Sequence, residues 1–329
     1  MKPRILIIGA NGQIGTDLGH ALAARYGADA VVLSDIAAPP AALPAGMTHH
    51  ILDATDADAL QRLVVQQGIT QIYLLAAALS ARGEQHPAWA WDLNMRSLLN
   101  VLELARQYQL RVFWPSSIAA FGPGSPKLRT PQHCVMDPGT VYGVSKLAGE
   151  GWCAWYHRVH GVDVRSLRYP GLISWKTAPG GGTTDYAIEI FHAALRQGHY
   201  TSFLAPHTAL PMMYMPDAIR ATLELMDAPA HCIPERHSYN LAALSFTPAE
   251  LAAAIARQVP GFTVDYAPDY RQAIADSWPQ SIDDSDARAD WGWSPHFDLD
   301  AMVVDMLAHL RPQVQAAREA LAALRYEKV

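Results

Sequence analysis

The pattern with the clearest chemical potential in this sequence is a tyrosine followed four residues later by a lysine, Tyr142 and Lys146. On a helix, residues at this spacing lie on one face, so the phenol and the ammonium can converge. A free phenol has a pKa of about 10 and is a poor base at neutral pH. A neighbouring ammonium favours the phenolate and lowers that pKa, which makes Tyr142 a candidate general base and Lys146 its electrostatic partner. The same spacing also occurs on ordinary helix surfaces, so its weight depends on the elements around it.

Two adjacent serines, Ser116 and Ser117, follow a run of strand-forming residues, Val112–Trp114. Open α/β proteins build their sites at the carboxyl ends of such strands. One of the two serines is expected to hydrogen-bond a substrate hydroxyl and to steady the oxyanion that develops on it. The alternative is that both are turn residues that satisfy backbone groups.

A glycine-rich loop, with Gly9, Gly12 and Gly15, stands between the first apolar run and a helical pattern. Glycines permit a tight turn and let the backbone approach a pyrophosphate, while the helix N-terminus supplies unpaired N–H groups and a positive dipole end. The loop, together with Gln13 and Ile14 at the start of the helix, is therefore predicted to bind a dinucleotide. A plain tight turn is the alternative.

Further candidates for that cofactor lie at the ends of later strands. Asp35 ends the second predicted strand about twenty residues after the glycine loop, where a carboxylate accepts hydrogen bonds from the adenosine ribose. It would repel a ribose phosphate, which favours NAD over NADP, although a solvated turn or a helix cap would also suit it. Leu75, Ala76 and Ala77 end the fourth strand with aliphatic, mostly small side chains that let a cofactor lie against the backbone, and Asn94 is expected to face the same cleft.

The elements that must position these residues alternate between short β-branched runs and helical patterns. This alternation is typical of βαβ units and predicts an α/β fold, a doubly wound Rossmann sheet of six or seven parallel strands. Residues 1–170 are predicted to form an NAD-binding Rossmann domain. Residues 171–329 are predicted to form mainly a smaller, mixed α/β substrate-binding lobe, with some segments returning to the first domain. The predicted strands are Ile5–Ile8, Ala30–Leu33, His50–Leu52, Ile72–Leu75, Val112–Trp114 and Val162–Leu167.

Composition excludes several classes of protein. The formal charge is −6, from 25 basic and 31 acidic residues, which gives no field that would gather nucleic acid or a membrane surface. The expected partners are small molecules or copies of the chain. Cys134, Cys153 and Cys232 are widely spaced and form no zinc or redox pair, so no metal site is expected. The N-terminus enters a strand without a signal sequence, which predicts a cytoplasmic protein.

Taken together, the glycine loop, the ribose-binding carboxylate, the serine pair and the Tyr-x-x-x-Lys pattern resemble the extended short-chain dehydrogenases/reductases, which include nucleotide-sugar epimerases and dehydratases. The glycine spacing is the short-chain variant of the general dinucleotide fingerprint. The resemblance implies that Asp53 contacts the adenine, although Asp is also a favoured helix cap. Tyr169 is assigned to the cofactor site, and Lys146 is expected to hold the nicotinamide ribose. The resemblance favours Ser117 as the catalytic serine and Ser116 as a neighbour that contacts ligand.

Longer sequence segments make the resemblance more specific, because they are similar to segments of the short-chain type of L-threonine dehydrogenase. Sugar-nucleotide members usually carry a different phrase after the sixth strand, where this chain has Arg168-Tyr-Pro-Gly-Leu-Ile-Ser174. The resemblance implies NAD-dependent oxidation of L-threonine at its 3-hydroxyl to 2-amino-3-oxobutanoate. Ser80, Thr183 and Thr184 would bind the substrate's carboxylate or ammonium, with Tyr142 and the serine pair at the hydroxyl. The phrases that carry the likeness lie at 115–122, 165–171, 179–186 and 210–218.

Two other functions stay open at this point. A nucleotide-sugar epimerase or dehydratase would share the cofactor motifs, but the sequence shows no evident diphosphate clamp. A non-catalytic NAD-sensing regulator would keep the fold without needing Tyr142, Lys146 and the serines. The resemblance also implies a homodimer packed through the helices Ala88–Gln107 and Tyr142–His160, whose apolar residues would equally suit packing on the sheet.

Overall fold

The computed structural model describes residues 2–39, 43, 45–78, 80–176 and 182–326, without the side chains of 80–82, 318 and 320–326. Strands and helices alternate strictly through most of the first half, as the sequence predicts. The elements there are β1 (Ile5–Ile8), α1 (Gln13–Tyr26), β2 (Val31–Asp35), β3 (Thr48–Ile51), α2 (Ala57–Gln67), β4 (Gln71–Leu74), α3 (Ser80–Gln85), α4 (Pro87–Tyr108), β5 (Arg111–Ser117), α5 (Val141–His160) and β6 (Val164–Tyr169).

The second half mixes shorter strands with helices. Its elements are β7 (Gly171–Ile173), α6 (Tyr186–Gln197), β8 (His199–Ser202), β9 (Leu210–Tyr214), α7 (Met215–Asp227), β10 (Tyr239–Asn240), β11 (Leu244–Phe246), α8 (Pro248–Gln258), β12 (Thr263–Tyr266), α9 (Arg271–Ser277), α10 (Ser285–Trp291) and α11 (Leu299–Tyr326).

A seven-stranded parallel sheet in the order β10-β6-β5-β4-β1-β2-β3 forms the body of the protein. This confirms the predicted doubly wound α/β fold. Side chains of a strand alternate between the two faces of a sheet. Ile5 and Ile7 of β1 accordingly pack in the core under α1 and α7, and Leu6 and Ile8 pack in the core under α2, α4 and α5. The order changes direction between β1 and β4, which is where ligands bind in such sheets.

The smaller lobe has its own core. Its two sheets are β11-β9-β7 and β12-β8, and α6, α8 and α11 pack around them. Three elements of the second half join the large sheet or pack against its body instead: β10 pairs with β6, α7 packs against α1 and β6, and α10 packs against β10. The chain passes from β6 into β7 through Pro170, so the lobe begins where the central strands end.

Local chemistry explains where the site-forming helix begins. The side chain of Thr140 accepts a hydrogen bond from the Gly143 N–H at 3.0 Å and caps α5. A Cβ at Gly143 would collide with the carbonyl oxygen of Ala119, so the absence of a side chain lets the first turn of α5 pack against the short 3₁₀ turn that follows β5. The first turn of α5 carries Tyr142, and the cap and the glycine together place it beside the carboxyl end of the sheet.

Candidate active site

A cavity of about 430 Å³ lies at the carboxyl ends of the parallel strands, between the large sheet and the smaller lobe. Three segments that the sequence analysis singled out meet there: the glycine loop, the end of β5 and the start of α5. The cavity is lined by Gly9, Gly12, Gln13, Ile14, Gly15, Leu75, Ala77, Pro115, Ser116, Ser117, Ile118, Tyr142, Lys146, Tyr169, Pro170, Gly171, Leu172, Gly182, Thr183, Thr184, Asp185 and Trp278.

The three glycines of the loop are needed for different reasons. Gly9 has φ +88°, and a Cβ there would lie 2.5 Å from the backbone nitrogen of Ala76. A Cβ at Gly15 would collide with the carbonyl oxygen of Gly9 and lie 2.7 Å from the Cα of Ala10. A Cβ at Gly12 would meet only the Gly9 oxygen, at 3.4 Å. The fold itself therefore requires Gly9 and Gly15, whereas Gly12 leaves open space at the wall of the cavity.

The start of α1 suits an anionic ligand. Gly12 is the N-cap and makes no side-chain cap hydrogen bond, and the first turn carries no acidic residue. The Nε2 atom of Gln13 is buried without a hydrogen-bond partner among the described residues. Open space over Gly12, uncapped N–H groups and an unpaired amide together fit a pyrophosphate, because helix N-termini bind anions through their N–H groups and dipole.

The two predicted adenosine contacts differ. Asp35 ends β2 and accepts a hydrogen bond from the backbone N–H of Asn11 at 3.0 Å, which ties it to the glycine loop. Asp53 is exposed and accepts two hydrogen bonds from Thr55, from its N–H at 2.8 Å and its hydroxyl at 2.7 Å. Asp53 therefore orders a turn, and the cap of α2 is Asp56. Neither Asp35 nor Asp53 lines the cavity itself.

Of the residues that follow β4, some line the cavity and others support the residues that do. Leu75 and Ala77 line the cavity, while the backbone of Ala76 lies behind Gly9. Asn94 is buried: its Oδ1 accepts the Ala78 N–H at 2.7 Å and its Nδ2 donates to Ser145 Oγ at 3.0 Å. It does not line the cavity but fastens the end of β4 to α5.

Tyr142, Lys146 and Ser117 come together as the sequence predicts. Lys146 is 3% exposed, and its Nζ donates to the carbonyl oxygen of Pro115 at 2.5 Å and lies 5.4 Å from the centre of the Tyr142 ring. The same Nζ lies 4.5 Å from the centre of the Trp114 ring. Ser117 interacts with the Tyr142 side chain by a hydrogen bond.

The electrostatics of this pair differ from the expectation. Desolvation raises the pKa of Tyr142 to about 12, and the hydrogen bond with Ser117 acts in the opposite direction. Burial lowers the pKa of Lys146 to about 7, against the influence of Cys153 and Glu150, which favour the ammonium. The expected lowering of the Tyr142 pKa by Lys146 is thus not seen. Lys146 points at a backbone carbonyl, and desolvation outweighs the other influences on both groups.

The two serines have separate partners. Ser116 Oγ donates to Glu150 Oε1 at 2.5 Å, and the pair is buried. Ser117 Oγ instead accepts the N–H of Ala119 at 3.2 Å at the start of a short 3₁₀ turn. Both serines line the cavity, but the Ser116 hydroxyl is engaged by Glu150 and the Ser117 hydroxyl lies beside Tyr142.

The remaining predicted residues come from both lobes. Tyr169 lines the cavity, and its hydroxyl is bonded to Thr222. Thr183 and Thr184 line it from the side of the smaller lobe. The backbone of Ser80 begins α3, and its side chain lies outside the described residues, so this prediction stays as it was made.

The sequence did not predict three further residues at or near the cavity. Asp185 and Trp278 line the cavity from the smaller lobe. Glu150 lies one helical turn after Lys146, so the Tyr142–Lys146 spacing extended by one step could have found it. Trp278 follows α9, far along the chain, and no local pattern connects it to the site.

The described residues contain no group of three or more His, Cys, Asp or Glu side chains placed to hold a metal ion. Within them, no helix has the length and apolar character needed to cross a membrane.

Residues 5–242 match the sequence profile of the NAD dependent epimerase/dehydratase family. The chain belongs to this family. A relative in Staphylococcus aureus (strain USA300), described as an uncharacterized epimerase/dehydratase, is 49% identical over 92% of this chain and 95% of its own length. As the family is NAD dependent, the protein is an NAD-dependent enzyme of the dehydrogenase and epimerase class.

Solved structures of this epimerase/dehydratase fold extend the comparison. The holo form of a GalE-like L-threonine dehydrogenase from Cupriavidus necator is 66% identical, covers 94% of this chain and 100% of its own, and superimposes with a TM-score of 0.91. An L-threonine dehydrogenase from Clostridium difficile is 43% identical over 95% of this chain and 99% of its own, with a TM-score of 0.93. A monomeric L-threonine 3-dehydrogenase of metagenomic origin is 48% identical over 94% of this chain and 99% of its own, with a TM-score of 0.91.

Proposed function

We propose that this protein catalyses the NAD-dependent oxidation of L-threonine at its 3-hydroxyl to 2-amino-3-oxobutanoate. The likeness to threonine dehydrogenases over nearly the whole chain, including the smaller lobe, carries the proposal. The cavity supports it, because Ser117, Tyr142 and Lys146 meet there beside two threonines of the smaller lobe.

NAD would lie across the glycine loop, with its pyrophosphate at the start of α1. Gly12, Gln13 and Ile14 would surround the phosphates, and Asp35 would accept hydrogen bonds from the adenosine ribose. When bound, the cofactor supplies the acceptor for the hydride that leaves carbon 3 of the substrate. Asp53 and Asn94 are less suited to bind the cofactor, because Asp53 already orders a turn and Asn94 already connects the segment after β4 to α5.

Tyr142 would remove the proton of the substrate hydroxyl. Its raised pKa means that the phenol holds its proton at neutral pH until another charge favours the phenolate. Ser117 stabilises the negative charge by hydrogen bonding, both on the phenol and on the substrate oxygen. Lys146 would supply positive charge from one turn away and hold the ribose of the nicotinamide.

The chemistry of the cavity wall favours a small zwitterion over a sugar nucleotide. Among the described lining residues, Lys146 is the only basic side chain, and its low pKa leaves it partly neutral at pH 7. The start of α1 would be taken by the NAD pyrophosphate, so the diphosphate of a sugar nucleotide would need cationic partners elsewhere in the cavity, and the described lining supplies none besides Lys146. The hydroxyls of Thr183 and Thr184 can bind a carboxylate, the Asp185 carboxylate complements an ammonium, and Trp278 closes the apolar side. Ser80 would join this group from the start of α3.

The substrate assignment is tested by initial rates of NADH formation with L-threonine and, in parallel, by product analysis with UDP-sugars. We expect NADH to form with threonine and the sugars to stay unchanged. Isomerised or dehydrated sugar without net NADH would establish the epimerase or dehydratase alternative. Tight NAD binding with no turnover of either substrate would favour a regulator.

We also propose a homodimer that packs through α4 and α5. Four tryptophans on these helices are 37–44% exposed in the single chain: Trp89, Trp91, Trp152 and Trp155. Large aromatic side chains gathered on two neighbouring helices favour a protein partner. The occupant we propose is a second copy of the chain, although one similar threonine dehydrogenase is described as monomeric. Light scattering after size exclusion decides between one chain and two.

A further inference from the structure

A buried ionic network lies directly behind the proposed catalytic residues. The carboxylate of Glu150 accepts hydrogen bonds from Ser116 Oγ at 2.5 Å and from Arg168 at 2.7 and 3.0 Å. Arg168 also donates to the carbonyl oxygen of Gln132 at 2.8 Å and to Asn240 Oδ1 at 2.9 Å. Glu150 is 1% exposed and Arg168 is 4% exposed. One carboxylate thus joins the helix α5 to two central strands, β5 and β6.

The network is part of a set of contacts between one face of α5 and the end of β5. Successive turns of α5 present Tyr142, Lys146 and Glu150 on one face, because the three are four residues apart. They contact three consecutive residues of β5: Tyr142 the side chain of Ser117, Lys146 the carbonyl of Pro115, and Glu150 the hydroxyl of Ser116. Ser116 and Ser117 are adjacent in the chain, so holding Ser116 against α5 also restricts where the backbone of Ser117 lies.

Glu150 also acts electrostatically, because two basic side chains lie close to its carboxylate. Arg168 pairs with it directly, and Lys146 lies one turn away, close enough for Glu150 to favour the ammonium. Other titratable groups that interact with this cluster are Cys153 on α5, Cys134 in the segment before α5, and Glu235 and His237 in the segment before β10. The Glu150 charge therefore acts on Lys146, while its hydrogen bonds act on β5.

We propose that Glu150 is a positioning residue of the active site. Its carboxylate holds Ser116 of β5 and Arg168 of β6 against α5, and thereby sets where Ser117, Tyr142 and Lys146 meet. None of this requires Glu150 to touch substrate or cofactor, and it does not line the cavity. The inference deepens the proposed function and rests on it only for the kinetic part of its test.

The test compares Glu150→Gln with a matched control, Asp217→Asn. Asp217 is also 1% exposed, and it accepts hydrogen bonds from Arg220 at 2.9 Å and from the N–H groups of His296 and Phe297. Neither Asp217 nor these partners line the cavity. Both substitutions remove a buried, paired carboxylate and should lower the melting temperature, so stability alone cannot distinguish them.

Kinetics provide the first readout. Glu150→Gln is expected to lower kcat with threonine by about tenfold or more, since small displacements of catalytic groups can reduce rates by up to about a hundredfold. Asp217→Asn should keep the wild-type kcat and pH profile below its melting temperature. A Glu150→Gln enzyme that loses only stability, as the control does, would overturn the proposal.

Lysine NMR gives a second readout that needs no substrate. The chain has five lysines, so a sample labelled at lysine Cε gives few signals, and Lys146 is identified as the signal that Lys146→Arg removes. In Glu150→Gln the Lys146 signal should titrate at a lower pH than in the wild type, while Asp217→Asn leaves it unchanged. If the wild type does not oxidise threonine, the proposed function fails. The NMR comparison still decides whether Glu150 acts on Lys146.

Ser116→Ala covers the case in which Glu150→Gln does not fold. It keeps the Glu150–Arg168 pair and removes only the link to β5. We expect a several-fold lower kcat, an unchanged Lys146 titration and, where Glu150→Gln folds, no additional loss in the double variant. A wild-type kcat, or a rise confined to the KM of a ligand, would contradict the positioning role.

Discussion

Replacing Gly12 by alanine separates what the fold requires of the glycine loop from what a cofactor requires. Gly12 has φ −73° and ψ 172°, an extended conformation that any residue adopts. Its new methyl group would contact only the Gly9 carbonyl oxygen, at an ordinary 3.4 Å. Alanine is a poorer N-cap than glycine, so we expect a loss of only about 0.5–1 kcal/mol in the free energy of unfolding.

The effect on the cofactor should be larger. The methyl group would occupy the space in which a pyrophosphate approaches the N–H groups at the start of α1. Hydrogen bonds to a charged group contribute about 1.5–3 kcal/mol each. Losing one of them weakens binding of NAD by about 10- to 100-fold, because each 1.4 kcal/mol corresponds to a factor of ten.

The assay is titration with NADH followed by its fluorescence, together with thermal unfolding of the same samples. Gly15→Ala is the matched control, since its methyl group would collide with Gly9 and lie 2.7 Å from the Cα of Ala10. Overpacking of that kind costs about 1–3 kcal/mol, so Gly15→Ala should lose stability. If Gly12→Ala bound NADH as the wild type does, or lost as much stability as Gly15→Ala, the argument for a phosphate site over Gly12 would be wrong.

Other predictions concern single side chains. Tyr142→Phe should lower kcat with threonine by about 10²- to 10⁴-fold and keep NADH binding, and a weakened NADH affinity with intact kcat would contradict the role of base. Asp185→Asn should raise the KM for threonine more than it lowers kcat, and unchanged threonine kinetics would remove Asp185 from the substrate site. The wild type should be a dimer in light scattering and Trp155→Glu a monomer; a monomeric wild type would contradict the proposed dimer. Arg165 and two other arginines hold the Asp163 pKa at about 2 despite burial, below its ordinary 3.8. Asp163→Asn should therefore cost about 2 kcal/mol of stability at neutral pH, and this difference from the wild type should shrink as the pH falls from about 4 towards 2. A constant difference over that range, measured by denaturant unfolding, would contradict this ionic account.

The parallel strands were predictable because they are buried on both faces and therefore carry continuous apolar runs. β1 covers Ile5–Ile8 in the sequence prediction and in the structure alike, and the helix predicted as Tyr142–His160 is α5, which begins one residue earlier at Val141. The strands β7, β8, β9 and β11 were not predicted. They have three to five residues each, and such segments acquire their strand conformation from partners that lie far away in the sequence.

Local spacing was sufficient for the residues that act through one helix or one loop. Tyr142 and Lys146 share a face of α5, and the glycine loop precedes α1, so the sequence predicted both features of the cavity. Spacing could not separate Ser116 from Ser117, because the difference depends on Glu150 reaching one hydroxyl and Tyr142 the other.

The effect of desolvation on the pKa values of the site could not be predicted from the sequence either. The raised pKa of Tyr142 and the lowered pKa of Lys146 both follow from burial, which depends on packing of the two lobes. Trp278 entered the site for the same reason, since it reaches the cavity only through the packing of the smaller lobe.

The most direct measurement uses L-threonine that carries deuterium on carbon 3, incubated with the protein and NAD. Direct transfer from carbon 3 to the cofactor predicts that the reduced NAD is one mass unit heavier than with ordinary threonine and that Tyr142→Phe slows its formation by about 10²- to 10⁴-fold. Reduced cofactor without deuterium, or no reduced cofactor from folded protein that binds NAD, would contradict threonine oxidation at this site.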